Sequence, residues 1–259
     1  MEIAGYIAAI FIGLSLGLTG GGGSILTVPV LVYLFGVEPL LATTYSLFIV
    51  GATSMVGGIR AYMHKLVDLK AVTLFGFPSV FSIFIARHFV VPVLPEQMLG
   101  FSKGSFLMLA FAILMLGTSF YMMRPRKEDE VPDADSDMNP LSLILPGLVV
   151  GFITGLLGAG GGFMIIPALV FILHLPMRKA IGTSLLIISI NSTFGFLFSL
   201  KQYQFNWAFL ISVTVLAIAG VVVGTILSSK IKNEQLRKIF GWFVLIMAIY
   251  ILVKELHLF

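Results

Sequence analysis

Apolar stretches follow one another along the chain at residues 3–19, 24–36, 39–58, 70–90, 101–123, 141–157, 162–175, 180–200, 206–229 and 239–258. Most approach or exceed the length of about 18 residues that a membrane-spanning helix needs. Strict apolar–polar alternation is absent, which argues against a membrane β-barrel. The pattern predicts an all-α, polytopic integral membrane protein. Between the fifth and sixth stretches lies RPRKEDEVPDADSDMNP, residues 124–140, the only long polar run. It reads as a solvent-exposed linker between a first membrane repeat, 1–123, and a second, 141–259.

The two halves repeat. Shifted by 138 residues, 17–58 lies on 155–196 without a gap, and about a third of the aligned positions are identical. Gly17, Gly20, Gly22, Gly23 and Pro29 fall on Gly155, Gly158, Gly160, Gly161 and Pro167, and Ser46 and Ser54 fall on Ser184 and Ser192. Glycine and proline shared in register carry more weight than shared leucine, because membrane segments draw on few residue types. Each half holds five segments. An odd number makes the second half enter the membrane from the opposite side, as inverted-repeat transporters do.

Charge supports the odd count. With both termini outside, the inner loops and linker hold Arg60, Lys65, Lys70, Arg124, Arg126, Lys127, Arg178, Lys179, Lys230, Lys232, Arg237 and Lys238. Arg87, Lys103, Lys201 and Lys254 fall outside. That is the expected cytoplasmic bias, and it accounts for the net charge of +4 without nucleic acid. Only 11% of residues are charged, too few to cover a water-facing surface. The N-terminal stretch has Glu2 and no basic residue, so it reads as a first helix rather than a cleavable leader. The absence of cysteine excludes disulfides and thiolate chemistry. Arg60, Arg87, Asp68, Glu38 and Glu96 fall at segment ends or in loops, as do the four histidines. The sequence thus offers no intramembrane proton relay, no metal cluster, no cofactor motif and no constellation for catalysis. Trp207 and Trp242 fall near segment ends, as interfacial aromatics do.

Candidate chemistry lies in GLTGGGGSILTVP, residues 17–29, and GLLGAGGGFMIIP, residues 155–167. Residues 24–36 make a helix of about 19 Å, too short for a hydrocarbon core of about 30 Å. It therefore starts within the bilayer, or pairs with the first segment as a hairpin; the sequence leaves both open. Non-helical backbone at such depth is tolerated only when protein buries it or when it lines a cavity. Helices starting at Ser24 and Gly162 would aim free N–H groups at one midplane site, a natural place for an anion. The expected donors are the backbone at Gly20, Gly21, Gly22, Gly23, Ser24, Gly158, Gly160, Gly161 and Gly162. Ser46, Ser54, Thr183, Ser184 and Asn191 join them as uncharged side-chain donors. The competing readings are close helix packing for the glycines and bonds back to helix carbonyls for the hydroxyls.

The paired glycine stretches, each followed by an ATTYSL or AIGTSL segment, resemble the TauE/SafE sulfite exporter family, also called the 4-toluenesulfonate uptake permease family. The resemblance spans almost the whole chain. It implies a bacterial inner-membrane permease for a small sulfur-containing anion such as sulfite, a sulfonate or sulfoacetate. The expectation is a carrier working by alternating access between the repeats, with an anion channel built on the same donors as the alternative. Its partners would be the anion and the lipid bilayer, with homo-oligomerisation left open. Tyr45 departs from the second repeat, where Thr183 stands in its place, and would reshape that half of the site.

Overall fold

The structure is a computed structural model that describes residues 2–95, 97–98, 101–123, 141–157, 162–171, 173–200 and 204–256. Among these, ten helices have ten or more residues. They are α1 (Glu2–Thr19), α2 (Gly22–Tyr33), α3 (Pro39–Met63), α4 (Leu69–Ile85), α5 (Lys103–Met123), α6 (Leu141–Leu157), α7 (Gly162–Phe171), α8 (Met177–Ser199), α9 (Trp207–Ser228) and α10 (Asn233–Leu256). Helix α4 runs on through a π-helical turn, Ala86–Val90, and a last turn, Val91–Val93. A two-residue ladder pairs Gln97 with Ser102 and Met98 with Phe101 before α5. Among the described residues, five spans are long and apolar enough to cross a membrane: α3, α8, α9, Leu69–Val93 and Lys103–Phe120. Phe77, Phe81, Phe89, Ile113, Phe120 and Val215 stay exposed on the flanks, a surface suited to lipid rather than water. This is an all-α, multi-pass membrane protein.

Helix starts follow local capping chemistry. Pro39 opens α3, while the Glu38 carboxylate accepts from Leu40 N at 3.1 Å and Leu41 N at 3.0 Å. Asp68 caps α4 by accepting from Ala71 N at 3.0 Å, and Asn206 caps α9 by accepting from Phe209 N at 3.2 Å. Helix α10 begins earlier than its apolar run. Its polar first turns are helical, with a Glu234–Lys238 pair at 2.7 Å four residues apart. Trp242 therefore lies inside α10, whereas Trp207 opens α9.

Packing respects the repeat. Helix α1 lies against α9 and α6 against α4; α3 packs on α9 and α8 on α4; α2 touches α10 and α7 touches α5. Replacing each helix by the one 138 residues away returns the same pairs. Helices α3 and α8, which correspond to each other, lie side by side and run antiparallel. A Cβ added at Gly51 would meet Ser192, one at Gly57 would meet Leu185, and one at Gly195 would meet Leu47. The chain leaves α2 through Gly36 at φ +67° and α7 through His174 at φ +56°, corresponding positions that share a left-handed turn.

Candidate functional site

The glycine run divides into positions with different duties. Gly20 has φ +72°, a conformation that L side chains rarely adopt, and it lets the chain turn out of α1. A Cβ on Gly21 would lie 2.5 Å from the Gly162 carbonyl oxygen, and one on Gly162 would lie 2.8 Å from Gly21 Cα. The starts of α2 and α7 thus meet backbone to backbone, at a distance that only glycine permits. Gly22 and Gly23 instead face α1: a Cβ on Gly22 would meet Ser15 and Thr19, and one on Gly23 would meet Ile12 and Leu16. For these two the packing explanation is sufficient. Gly158, Gly160 and Gly161 lie outside the described residues.

Some of the expected donors are already committed. Gly20 N donates to Leu16 O at 2.7 Å, and Gly22 N donates to Thr19 Oγ1 at 3.0 Å. Thr19 therefore caps α2 from the end of the preceding helix, something its sequence position gives no reason to expect. The N–H groups of Gly23 and Ser24, in the first turn of α2, are of the kind that a helix start leaves without an intrahelical partner. The Ser24 hydroxyl donates to Gly21 O at 2.7 Å. Ser184 reaches across from the other half, donating to Gly20 O at 3.3 Å and to Ile181 O at 2.8 Å. Gly20, Gly21, Ser24, Gly162 and Ser184 are thus brought together.

Ile188 connects this group to a second one, since its Cδ1 lies 2.6 Å from where a Cβ on Gly162 would stand. The second group sits along the crossing of α3 and α8. Asn191 accepts at Oδ1 from Ser79 Oγ at 2.7 Å. Asn191 Nδ2 and the hydroxyls of Ser46, Ser54 and Ser192 are fully buried and have no partner among the described residues. Buried polar atoms are nearly always paired, so four of them along one helix crossing single it out as a candidate site.

Thr183 faces elsewhere. Its Oγ1 accepts from Asp68 N at 2.9 Å, at the loop that opens α4. Tyr45, its counterpart, has its phenol oxygen accepting from Asn206 N at 2.9 Å, at the loop that opens α9. Two different side chains thus make one bond in corresponding places. Tyr45 thus pins the loop that opens α9.

A cavity of ≈ 290 Å³ opens between α1, α3, α8 and α9. Gly17, Gly57 and Leu185 lie in its wall, close in sequence to Gly20 and Ser184, and Arg60, His64 and Arg178 also line it. Arg178 is anchored by donating to the carbonyls of Ser229 at 2.8 Å and Ile231 at 2.9 Å. Lys179 pairs with Asp68 at 3.4 Å, so the excess positive charge on this wall comes from the arginines. At the opposite end, a groove lined by Tyr33, Glu38, Tyr45 and Asn206 carries an acidic group and no basic one among the described residues.

Arg87 lies toward the end of its span, where the sequence places it, and is buried there. It is only 1% exposed, within the span Leu69–Val93, and its guanidinium donates to hydroxyls of α3 and α8. Hydropathy averaging hides one arginine beside a long apolar run.

Long apolar helices that expose phenylalanine and valine on their flanks define a multi-pass membrane protein. Residues 6–251 match the family described as sulfite exporter TauE/SafE. The chain is 30% identical to a "Probable membrane transporter protein" of Xylella fastidiosa over 94% of this chain and 92% of that one. It is 33% identical to a similarly named protein of Methanocaldococcus jannaschii over 95% and 94% of the two chains. With one from Bacillus subtilis it shares 24% identity over the full length of both. No solved structure matches. The chain belongs to the TauE/SafE family, and it is a membrane transporter rather than an enzyme.

Proposed function

We propose that the protein carries a small sulfur-containing anion (sulfite, a sulfonate or sulfoacetate) across a bacterial cytoplasmic membrane. Repeats 1–123 and 141–259 are inverted, the linker 124–140 is cytoplasmic and both termini are outside. The observation that carries the reading is the meeting of two helix starts, Gly21 against Gly162, from two halves whose corresponding helices α3 and α8 run antiparallel. An anion there would find backbone N–H groups of both starts together with the unpartnered hydroxyls of Ser46, Ser54 and Ser192 and the amide of Asn191. The cavity bearing Arg60 and Arg178 supplies a cytoplasmic approach that concentrates anions. Rocking of one repeat against the other would expose the site to each side in turn. A potential negative inside favours anion export by about 2.3 kcal/mol per charge per 100 mV, so export needs no intramembrane proton site.

The test is thermal stabilisation of the detergent-solubilised protein by sulfite, thiosulfate, sulfoacetate and toluenesulfonate, against simple cations and sugars as controls. A ligand at 100 times its Kd stabilises by about 2.7 kcal/mol, enough to read. Stabilisation by the controls and by none of the anions would overturn the reading. Counterflow in proteoliposomes separates a carrier, which exchanges, from a channel, which does not.

A further inference from the structure

One buried carboxylate takes no part in the site described above. Glu255, in the last turn of α10, is 4% exposed. Its Oε1 accepts from the phenol of Tyr33, the last residue of α2, at 2.6 Å, while Oε2 is buried and without a partner. A buried carboxylate is ordinarily held by a cation or by donors on both oxygens, because an isolated buried charge is costly. Lys254 Nζ stands over the Tyr33 ring instead, 5.7 Å from its centroid, and among the described residues no ion pair reaches Glu255. The 138-residue shift carries Tyr33 onto Phe171, which has no hydroxyl. The phenol–carboxylate pair is therefore no part of the frame that the two halves share.

The position of Glu255 ties it to the anion reading. Helix α2 begins at Gly22, beside the contact of Gly21 with Gly162, and ends at Tyr33. An anion at its start and a positive charge at its end both suit the helix dipole, whereas an ionised carboxylate at that end suits it poorly. Helix α10 also ends here, so the last carbonyls of two helices add to the negative potential. Tyr33 stands in the wall of the groove of ≈ 660 Å³ at the end away from the basic cavity, so its phenol links that groove to the carboxylate. Of the other titratable groups on helices packed against α10, Lys103 donates to Val91 O at 2.6 Å and Tyr6 packs on Phe35. Arg178 holds the carbonyls of Ser229 and Ile231, Lys179 pairs with Asp68, and Glu2 and Tyr121 complete the set. On α10 itself Tyr250 meets the Tyr33 ring edge-on, and Glu234, Arg237 and Lys238 lie toward the opposite end.

We propose that Glu255 is a site for one positive charge, a proton or a sodium ion, whose binding is linked to that of the anion. A proton adds to a carboxylate oxygen to give the neutral acid and leaves by the same bond; sodium pairs with the carboxylate unchanged. Either removes the repulsion between Glu255 and an anion at the start of α2, about 18 Å away along the helix. The linkage is reciprocal, so the anion raises the affinity for the cation by the same factor. This rests on the transport reading above.

The test is the sulfoacetate affinity of the detergent-solubilised protein. It is measured first at about pH 6 and about pH 8, between which sulfoacetate keeps its charge, and then at fixed pH with sodium or choline as the cation. The lower pH or the sodium should tighten binding about fivefold, the factor for unit charges about 18 Å apart at an effective dielectric of about 20. Which change does so identifies the cation. Glu255→Gln, which keeps an acceptor for Tyr33, should bind at the tight level under every condition. Tyr33→Phe removes a bond that favours the ionised carboxylate, and should lower the cation concentration for half effect about tenfold. Indifference of the unaltered protein to both pH and sodium, or a dependence that survives Glu255→Gln, overturns the linked site, while sulfoacetate binding keeps the transport reading standing. Should Glu255→Gln not fold, Tyr33→Phe decides: an unmoved half-effect concentration overturns the site. Failure of every anion to stabilise the unaltered protein sinks the transport reading, and the linked site with it.

Discussion

Single buried hydroxyls give the sharpest test at the residue scale. Ser54 and Ser192 are fully buried with no partner among the described residues. Each unsatisfied group costs about 1–3 kcal/mol relative to a paired one. Replacing both by alanine removes that cost and adds little void, so the ligand-free protein should keep or gain thermal stability. Anion-induced stabilisation of the double variant should fall, because two donors are gone. Loss of intrinsic stability with unchanged anion response would make these hydroxyls structural. The glycines divide in the same way. Gly21 and Gly162 cannot accept a side chain without parting two backbones, whereas Gly22 would meet the side-chain oxygens of Ser15 and Thr19.

At the scale of elements, short helices and pinned loops set the geometry. Helix α2 has 12 residues, about 18 Å at 1.5 Å per residue, so its start stays far from at least one membrane face. The loops that launch α4 and α9 are each tied to the opposite half by one hydroxyl, Thr183 to Asp68 N and Tyr45 to Asn206 N. Tyr45→Phe keeps the ring contacts with Phe205 and Phe209 and removes only the bond. It should cost about 1 kcal/mol, as should Thr183→Val, and the double variant should cost their sum because the two bonds serve separate loops. Equilibrium unfolding of the four proteins checks this, and a non-additive result would couple the two loops through the centre of the bundle.

For the whole molecule, the prediction concerns sidedness. His64 is exposed beside the basic cavity, and Gln97 is exposed between α4 and α5. In intact cells an impermeant maleimide should label Gln97→Cys at once, and His64→Cys only after the membrane is opened. Labelling of both from outside would break the odd segment count and, with it, the inversion. The proposed anion would be served at this scale by a centre whose site residues are neither acidic nor basic. In the proposed reading, arginines in the wall of the basic cavity would attract it, and neutral donors would hold it without burying a permanent charge.

The sequence by itself determined the helices, their order and the duplication. These depend on local properties: apolar length, and glycine where a helix must stop. It also marked the glycines that interrupt the apolar runs, Gly20, Gly21 and Gly162 among them, because breaking a helix inside a membrane segment shows without knowledge of neighbours. Only the tertiary structure decided which polar atoms remain unspent. Thr183 turned toward a loop, Thr19 became a cap, and Arg87, at the end of its span, is buried. A side chain's partners come from helices more than a hundred residues away, as with Arg87 and Ser199 or Thr183 and Asp68, and no window along the chain records them.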